Sequence, residues 1–144
     1  MDTPRHPKLL GIDYGTRRIG VATNFASLVE PLEVVANQLD EMHPVLSAAA
    51  LARLRALCQE LQVEALVVGM SEAKMAEQIH AFVALLRQEL ALPIHLMDET
   101  LSSQAVAARL REAGARLVKR QGPIDHYSAA VILEEFLEVG DSPN

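Results

Sequence analysis

The sequence predicts an α/β fold with a mixed five-stranded sheet flanked by helices. Three observations carry this. The opening part strings short apolar runs together through brief connections, as a meander of strands does. The remainder alternates helical periodicity with short β-branched runs, as parallel strands joined by helices do. Half of the 144 residues are hydrophobic yet only 3% are aromatic, so the core is aliphatic, of the kind helices bury on a sheet.

The elements follow in order. KLLGIDY is an apolar run that reads as a buried strand. Gly15 opens a tight turn, GTRR, and IGVATNF reads as a second strand. So short a connection implies an antiparallel hairpin. After Pro31, LEVVA reads as a third strand. Leu46, Ala50, Leu54, Leu57 and Leu61 then recur at helical spacing, so residues 45–61 form an amphipathic helix. The lone cysteine, Cys58, lies beside that stripe and reads as a small buried hydrophobe.

EALVVG is short, β-branched and apolar, as a fully buried parallel strand is. Ser71 is a candidate cap for a helix showing Met75, Ile79, Phe82, Leu86 and Leu90 on one face. Pro93 ends that helix and PIHLM is the fifth strand. After DETLSS comes a helix with Val106, Leu110 and Ala113 on one face, stopped at Gly114. A basic loop runs to Pro123, and a last helix covers residues 125–139 with Ile132, Leu133 and Phe136 inward. Strands four and five are each reached through a helix, so they are expected to run parallel to the first. A three-strand meander extended by two parallel strands is the RNase H-like architecture.

The length suits one domain, spanning 1–144 and ordered over roughly 8–139, with fraying at residues 1–7 and at the tail GDSPN. One cysteine excludes an internal disulfide framework. The polar start MDTPRHPK has no apolar signal stretch, and no apolar run approaches the ~20 residues a bilayer requires. A soluble, cytoplasmic protein is expected. No Cys/His spacing suggests zinc, His80 and His95 read as structural or surface residues, and neither a Walker loop nor GxGxxG is present.

The net charge of −6 disfavours phosphate binding as a whole, but the charge is uneven. RLREAGARLVKR sets Arg109, Arg111, Arg116, Lys119 and Arg120 against one acid, Glu112. The acids gather around Asp40 and Glu41 and in Glu134, Glu135 and Glu138. A basic face on an acidic protein is therefore available.

Carboxylates stand at three strategic points. Asp13 closes the first strand, the pair Asp98–Glu99 follows the fifth, and Asp125 starts the last helix. Open α/β sheets build their sites at the carboxyl ends of the strands. Carboxylates gathered there repel one another unless a cation joins them, and Mg²⁺ prefers such oxygen ligands. Paired ions of this kind support phosphodiester hydrolysis. Strand residues alternate faces, so only one of Asp98 and Glu99 shares Asp13's face; Glu99 is the choice and Asp98 the reserve. As plain structure, Asp13 would start a turn and Asp125 would cap a helix.

With these residues in view, LLGIDYGTRRIGVA resembles the opening motif of the YqgF/RuvX family of Holliday-junction-resolvase-like or pre-16S rRNA nucleases. VVGM, DETLSS and IDHYSAAVILEEFL resemble that family's later motifs, so the likeness runs from about Leu9 to Leu137. It implies an RNase H-like fold and catalytic, metal-holding acids at Asp13, Glu99 and Asp125, with Mg²⁺ or Mn²⁺. It implies processing of the 5′ end of small-subunit rRNA precursors, or else cleavage of branched DNA. On that reading Gly15 and Thr16 pass close to a phosphate, and Arg17, Arg18, Arg116, Lys119 and Arg120 hold the nucleic-acid backbone. Ser128, Ala129 and Ala130 are small enough to seat the last helix tightly and bring Asp125 inward.

The chain departs from the family at two places. The segment after Gly69 is shortened to GMSEAKMAEQ, and Thr100 replaces the usual Arg after Asp-Glu. Glu72 in that short segment is either a replacement carboxylate or a first-turn helix acid facing the macrodipole. Two other readings compete. An actin-like ATPase also opens with Asp-x-Gly-Thr but needs a second domain. A non-catalytic binding module would keep the fold alone. With no heptad seam and few aromatic anchors, a monomer or weak homodimer is expected.

Overall fold

The computed structural model describes residues 6–70, 76–98 and 124–140, with Met70, Ala76, Asp98 and residues 124–127 and 139–140 described by their backbone. The elements are β1 (Leu9–Asp13), β2 (Arg18–Phe25), β3 (Leu28–Ala36), α1 (Ala48–Leu61), β4 (Ala65–Met70), α2 (Ala76–Leu90), β5 (Ile94–Asp98) and α3 (Ile124–Gly140). The strands form one five-stranded sheet in the order β3-β2-β1-β4-β5. β1 to β3 are antiparallel neighbours, and β4 and β5 join in parallel beside β1. This is the mixed sheet the sequence predicts, with β1 at its centre.

Alternation along β1 separates two cores. Leu10, Ile12 and Tyr14 belong to a large cluster that includes Leu54 and Leu57 of α1 and Ile79, Phe82 and Leu86 of α2. Leu9 belongs to a second cluster with Ala129, Ile132, Leu133 and Leu137 of α3. β4 splits the same way, Leu66 and Val68 to one side and Ala65 and Val67 to the other. A strand buried on both faces has no polar face to show, hence its unbroken apolar sequence. The molecule is thus layered, α1 and α2 on one face of the sheet and α3 on the other.

Several boundaries differ from the sequence reading. β3 starts at Leu28, before Pro31, because β3 is an edge strand, and an edge can spare the N–H that proline lacks. The ladder shifts there: Val21 faces Glu33 while Ala22 faces Pro31, so Leu32 is the extra residue of a bulge. α1 starts at Ala48 because Ser47 caps it, its hydroxyl accepting the Ala50 N–H at 3.1 Å. Leu46 is buried ahead of the helix, and with Leu51 in the first turn it joins the larger cluster, the arrangement of a hydrophobic staple. Gln62 ends α1 in the left-handed region, φ 56°. Asp98 is the last residue of β5 and not a residue beyond it, and Phe136 is only partly buried.

Ser71, Glu72, Met75, Glu99 and Thr100 lie outside the described residues. So does the predicted helix bearing Val106, Leu110 and Ala113, with Gly114 and the basic residues Arg109, Arg111, Arg116, Lys119 and Arg120. Among the described residues, no helix is long and apolar enough to cross a membrane.

Candidate active site at the carboxyl edge of the sheet

Asp13 ends the central strand on the face covered by α3. The pleat assigns it there, because Leu9 and Gly11, its alternates along β1, both meet α3. Its direct partners in the ladders are Gly20 of β2 and Gly69 of β4. Neither neighbour puts a side chain beside the carboxylate. A half-buried acid thus stands between two glycines at the end of the central strand, and glycine inside a strand often marks close approach by a ligand. The sequence reading passed over this pair, although a glycine within each of two apolar runs was its signal.

α3 brings Asp125 to the same end. Its C-terminal half shares a hollow with Ser27 at the tip of the β2–β3 hairpin, through Glu134, Leu137 and Glu138. That tip lies at the start of β1, since Leu10 pairs with Thr23 and Asp13 with Gly20. The helix therefore runs against β1, with its first turn toward Asp13. Ala129 sits over Gly11, its carbonyl oxygen 3.0 Å from where a Cβ on Gly11 would stand. Asp125 is one turn earlier, about 6 Å along the helix. Asp13 is two strand residues past Gly11, about 6.6 Å. The two steps match, so the Asp125 backbone draws level with Asp13.

Glycine at position 11 is what permits this seating. A Cβ there would also lie 2.5 Å from Leu133 Cγ. The small residues of α3 do their expected part: Ala129 and Ala130 are buried and Ser128 is half-buried at the interface. Gly11 itself was not singled out from sequence, because glycine in a strand reads as a weakness until its partner is known.

The turn after Asp13 is held from below. Gly15 is required sterically, since a Cβ there would collide with the Arg18 carbonyl oxygen. Arg17 and Arg18 are exposed and Thr16 is half-buried. Under the turn lies Asn37, only 2% exposed. Its side-chain amide donates to the carbonyls of Gly15 at 3.0 Å and Val45 at 3.2 Å. Its carbonyl accepts the Ser47 N–H at 2.9 Å, and its backbone N–H donates to Arg17 O at 2.8 Å. Tyr14, on the opposite face from Asp13, stacks on Phe82 with ring centroids 4.4 Å apart and donates to Val45 O at 2.6 Å. Burial pushes the Tyr14 phenol above its ordinary pKa, and the nearby Asn37 side chain opposes that shift.

At the other end of β1, Asn24 and Thr23 do comparable work. Asn24 accepts the Leu9 N–H at 2.8 Å and donates to Pro7 O and Ala26 O, while the Thr23 hydroxyl donates to Leu9 O at 2.7 Å. Buried polar groups that are fully partnered fix geometry at little cost.

His95 contacts the Phe136 ring, centroids 4.9 Å apart, and His80 is exposed, in keeping with structural and surface roles. Cys58 is buried, its thiol pushed up to about 11 by desolvation. Among the described residues no three His, Cys, Asp or Glu side chains cluster as a metal group; that set excludes Glu99 and the Asp125 side chain. Of the predicted site residues, the structure brings Asp13, Gly15, Thr16, Arg17, Arg18 and the Asp125 backbone to one end of the sheet. Glu99, Arg116, Lys119 and Arg120 lie outside the described residues.

Sheet order and layering define an RNase H-like fold, with an acid at the end of its central strand. Solved structures agree on the fold: RuvC of T. thermophilus in complex with a Holliday junction substrate aligns with TM-score 0.58 at 17% identity, covering 94% of this chain and 97% of that one. The Fowlpox virus resolvase with Holliday junction DNA aligns with TM-score 0.57 at 10% identity, over 94% and 99% of the two chains. The family model described as "RuvX: Holliday junction resolvase" matches residues 7–139. This chain belongs to the RuvX family. Relatives carrying the name "Putative pre-16S rRNA nuclease" include one from Koribacter versatilis, 33% identical over 92% of this chain and 88% of its own length. Another, from Moorella thermoacetica, is 36% identical over 91% and 94%.

Proposed function

We propose that this protein is a metal-dependent endonuclease that processes the 5′ end of pre-16S rRNA in the cytoplasm. The observation that carries the reading is Asp13 at the end of the central strand, between two glycines, with the first turn of α3 level with it. Family membership and the names of the relatives supply the substrate class.

Asp13, Glu99 and Asp125 are the proposed catalytic acids. Of the pair Asp98–Glu99, Glu99 is the proposed ligand and Asp98 the reserve. These acids are hard oxygen donors, and Gly20 and Gly69 add no side chain beside the Asp13 carboxylate, so the set suits Mg²⁺ or Mn²⁺. Bound there, the ion would activate a water and stabilise the leaving oxygen. Asp13, Glu99 and Asp125 would hold it. Arg17 and Arg18 on the adjoining turn, with Arg116, Lys119 and Arg120, would hold the phosphate backbone.

The test is a cleavage panel in Mg²⁺ or Mn²⁺ on 5′-extended small-subunit rRNA fragments and on four-way DNA junctions, with wild type beside Asp13→Asn. Cleavage of the RNA, lost by orders of magnitude in Asp13→Asn while the fold survives, supports the reading. Equal cleavage by Asp13→Asn rejects the site. The likeness to junction-bound resolvases favours branched DNA as the second reading. Paired incisions need two sites related by two-fold symmetry, whereas trimming one RNA end needs one, so a monomer or weak dimer accompanies the RNA reading. A stable dimer that cuts junctions and spares RNA would reverse the ranking.

A further inference from the structure

We infer that Asn37 is a positioning residue for the candidate site: it holds the Gly15–Arg17 turn so that the Thr16 amide faces a phosphate beside Asp13. The inference rests on the nuclease reading and adds to it a residue that touches neither metal nor substrate.

Asn37 grips both sides of the turn. Its side-chain amide takes the Gly15 carbonyl and its backbone N–H takes the Arg17 carbonyl. Both carbonyls are therefore turned toward the buried side. No peptide bond among the described residues is cis, and a trans peptide sets its N–H opposite its C=O. The amides of Thr16 and Arg18 accordingly face away from Asn37. Arg18 opens β2, so the Thr16 amide is the donor that belongs to the turn itself. Thr16 stands in the chain between the half-buried Asp13 and the exposed Arg17 and Arg18. A backbone donor set beside cationic side chains is a phosphate seat.

Asn37 is fixed in turn. Its carbonyl is held by the Ser47 N–H at the cap of α1, and it shares the Val45 carbonyl with the Tyr14 hydroxyl. The cap of α1 is thereby tied to the turn through Asn37. Aspartate at position 37 keeps the shape and the acceptor for Ser47. It replaces the donor to Gly15 O with an oxygen, and the Gly15 peptide is then free to rotate.

The experiment measures equilibrium binding in the Asp13→Asn background, where no cleavage intervenes, with a 5′-extended rRNA fragment and a four-way DNA junction as probes. Asn37→Asp is expected to weaken binding by about tenfold, the scale of one hydrogen bond to a charged group. The slope of log affinity against log salt stays unchanged, because an amide releases no counterion. Tyr14→Phe, which removes a bond from the same knot without touching Gly15 or Arg17, is the control. It is expected to lower thermal stability and leave affinity intact. Should Asn37→Asp fail to fold, Asn37→Ser tests the same contact, its hydroxyl falling short of Gly15 O. Parental affinity in the Asn37 variant overturns the inference, as does an equal loss in Tyr14→Phe at matched stability. If the Asp13→Asn parent binds neither probe, the functional reading falls and takes this inference with it.

Discussion

Gly11 of β1 and Leu133 of α3 meet so closely that a Cβ on the glycine would lie 2.5 Å from Leu133 Cγ. Leu133 is fully buried and the Ala129 carbonyl closes the other side, so neither neighbour can give way freely. Gly11→Ala is therefore expected to cost about 1–3 kcal/mol, the usual range for overpacking. The helix is pushed off the sheet, which also takes Asp125 out of level with Asp13. A lowered Tm together with weakened cleavage is the expected pair of readings. An alanine variant as stable and active as wild type would mean that α3 does not seat as described.

Much of this fold was legible in the sequence because its strands are short and apolar and its helices keep their stripes. β4 and the stripe of α1 come straight from those patterns. What was not legible depends on partners distant in sequence. Pro31 reads as a strand breaker until β3 is seen at the sheet edge. Gly20 and Gly69 gain meaning only from lying opposite Asp13 on two different strands. Asn37 reads as an ordinary polar residue between elements, and its role exists only because Gly15, Val45 and Ser47 converge on it. The candidate site was legible at Asp13, where an acid ends an apolar strand before a glycine turn. Glu99, the preferred member of the Asp98–Glu99 pair, lies outside the described residues.

Gln62 ends α1 with φ 56°, and the Val63 N–H reaches back to Cys58 O at 2.9 Å, as in a Schellman ending. A residue with a Cβ pays roughly 1–2 kcal/mol for that left-handed backbone. Glycine there is expected to raise stability by about 1 kcal/mol, or about 2–4 °C in Tm for a chain of this size. Gln62 is exposed, so no packing is lost. A fall in Tm would refute the assignment.

Cys58 is buried against the stripe of α1 and its thiol is pushed up to about 11 by desolvation. The thiolate is the reactive form. A thiol reagent near neutral pH is thus expected to leave the native protein unmodified and to react once in denaturant. Fast labelling of the native protein would show that the α1 face opens readily.

Glu33 on β3 and Arg53 on α1 form a two-pronged pair, with Arg53 Nε and Nη2 at 2.8 and 2.7 Å from the carboxylate oxygens. The hydrogen bond to Arg53 is the main cause holding the Glu33 pKa below its ordinary value of 4.5, against partial burial. The folded state thus favours the carboxylate. The pair's contribution is present above 4.5 and is lost as pH falls through the lowered value. Both side chains are substantially exposed, so the effect is small and screened by salt. Glu33→Gln is expected to lower Tm slightly near neutral pH and to match wild type in strong acid. A difference that persists or grows in acid would assign the loss to packing.

The last prediction concerns where the nucleic acid lies. The turn at Arg17 and Arg18 is the cationic feature adjoining Asp13 among the described residues, and two arginines make few phosphate contacts. Arg116, Lys119 and Arg120 are proposed to supply the rest, because they concentrate positive charge in a chain of net charge −6. Each phosphate contact contributes about 0.9 to the salt slope on duplex DNA and about 0.7 on single strands. Neutralising all three is expected to reduce the slope by about 2–3 and to weaken binding alike across sequences. Arg17→Ala with Arg18→Ala is expected to remove a further part of the slope, since the two groups would touch different phosphates. Asp13→Asn removes a negative charge and no cation, so it leaves the slope in place. An unchanged slope in the triple variant would confine the binding surface to the Asp13 edge and its turn.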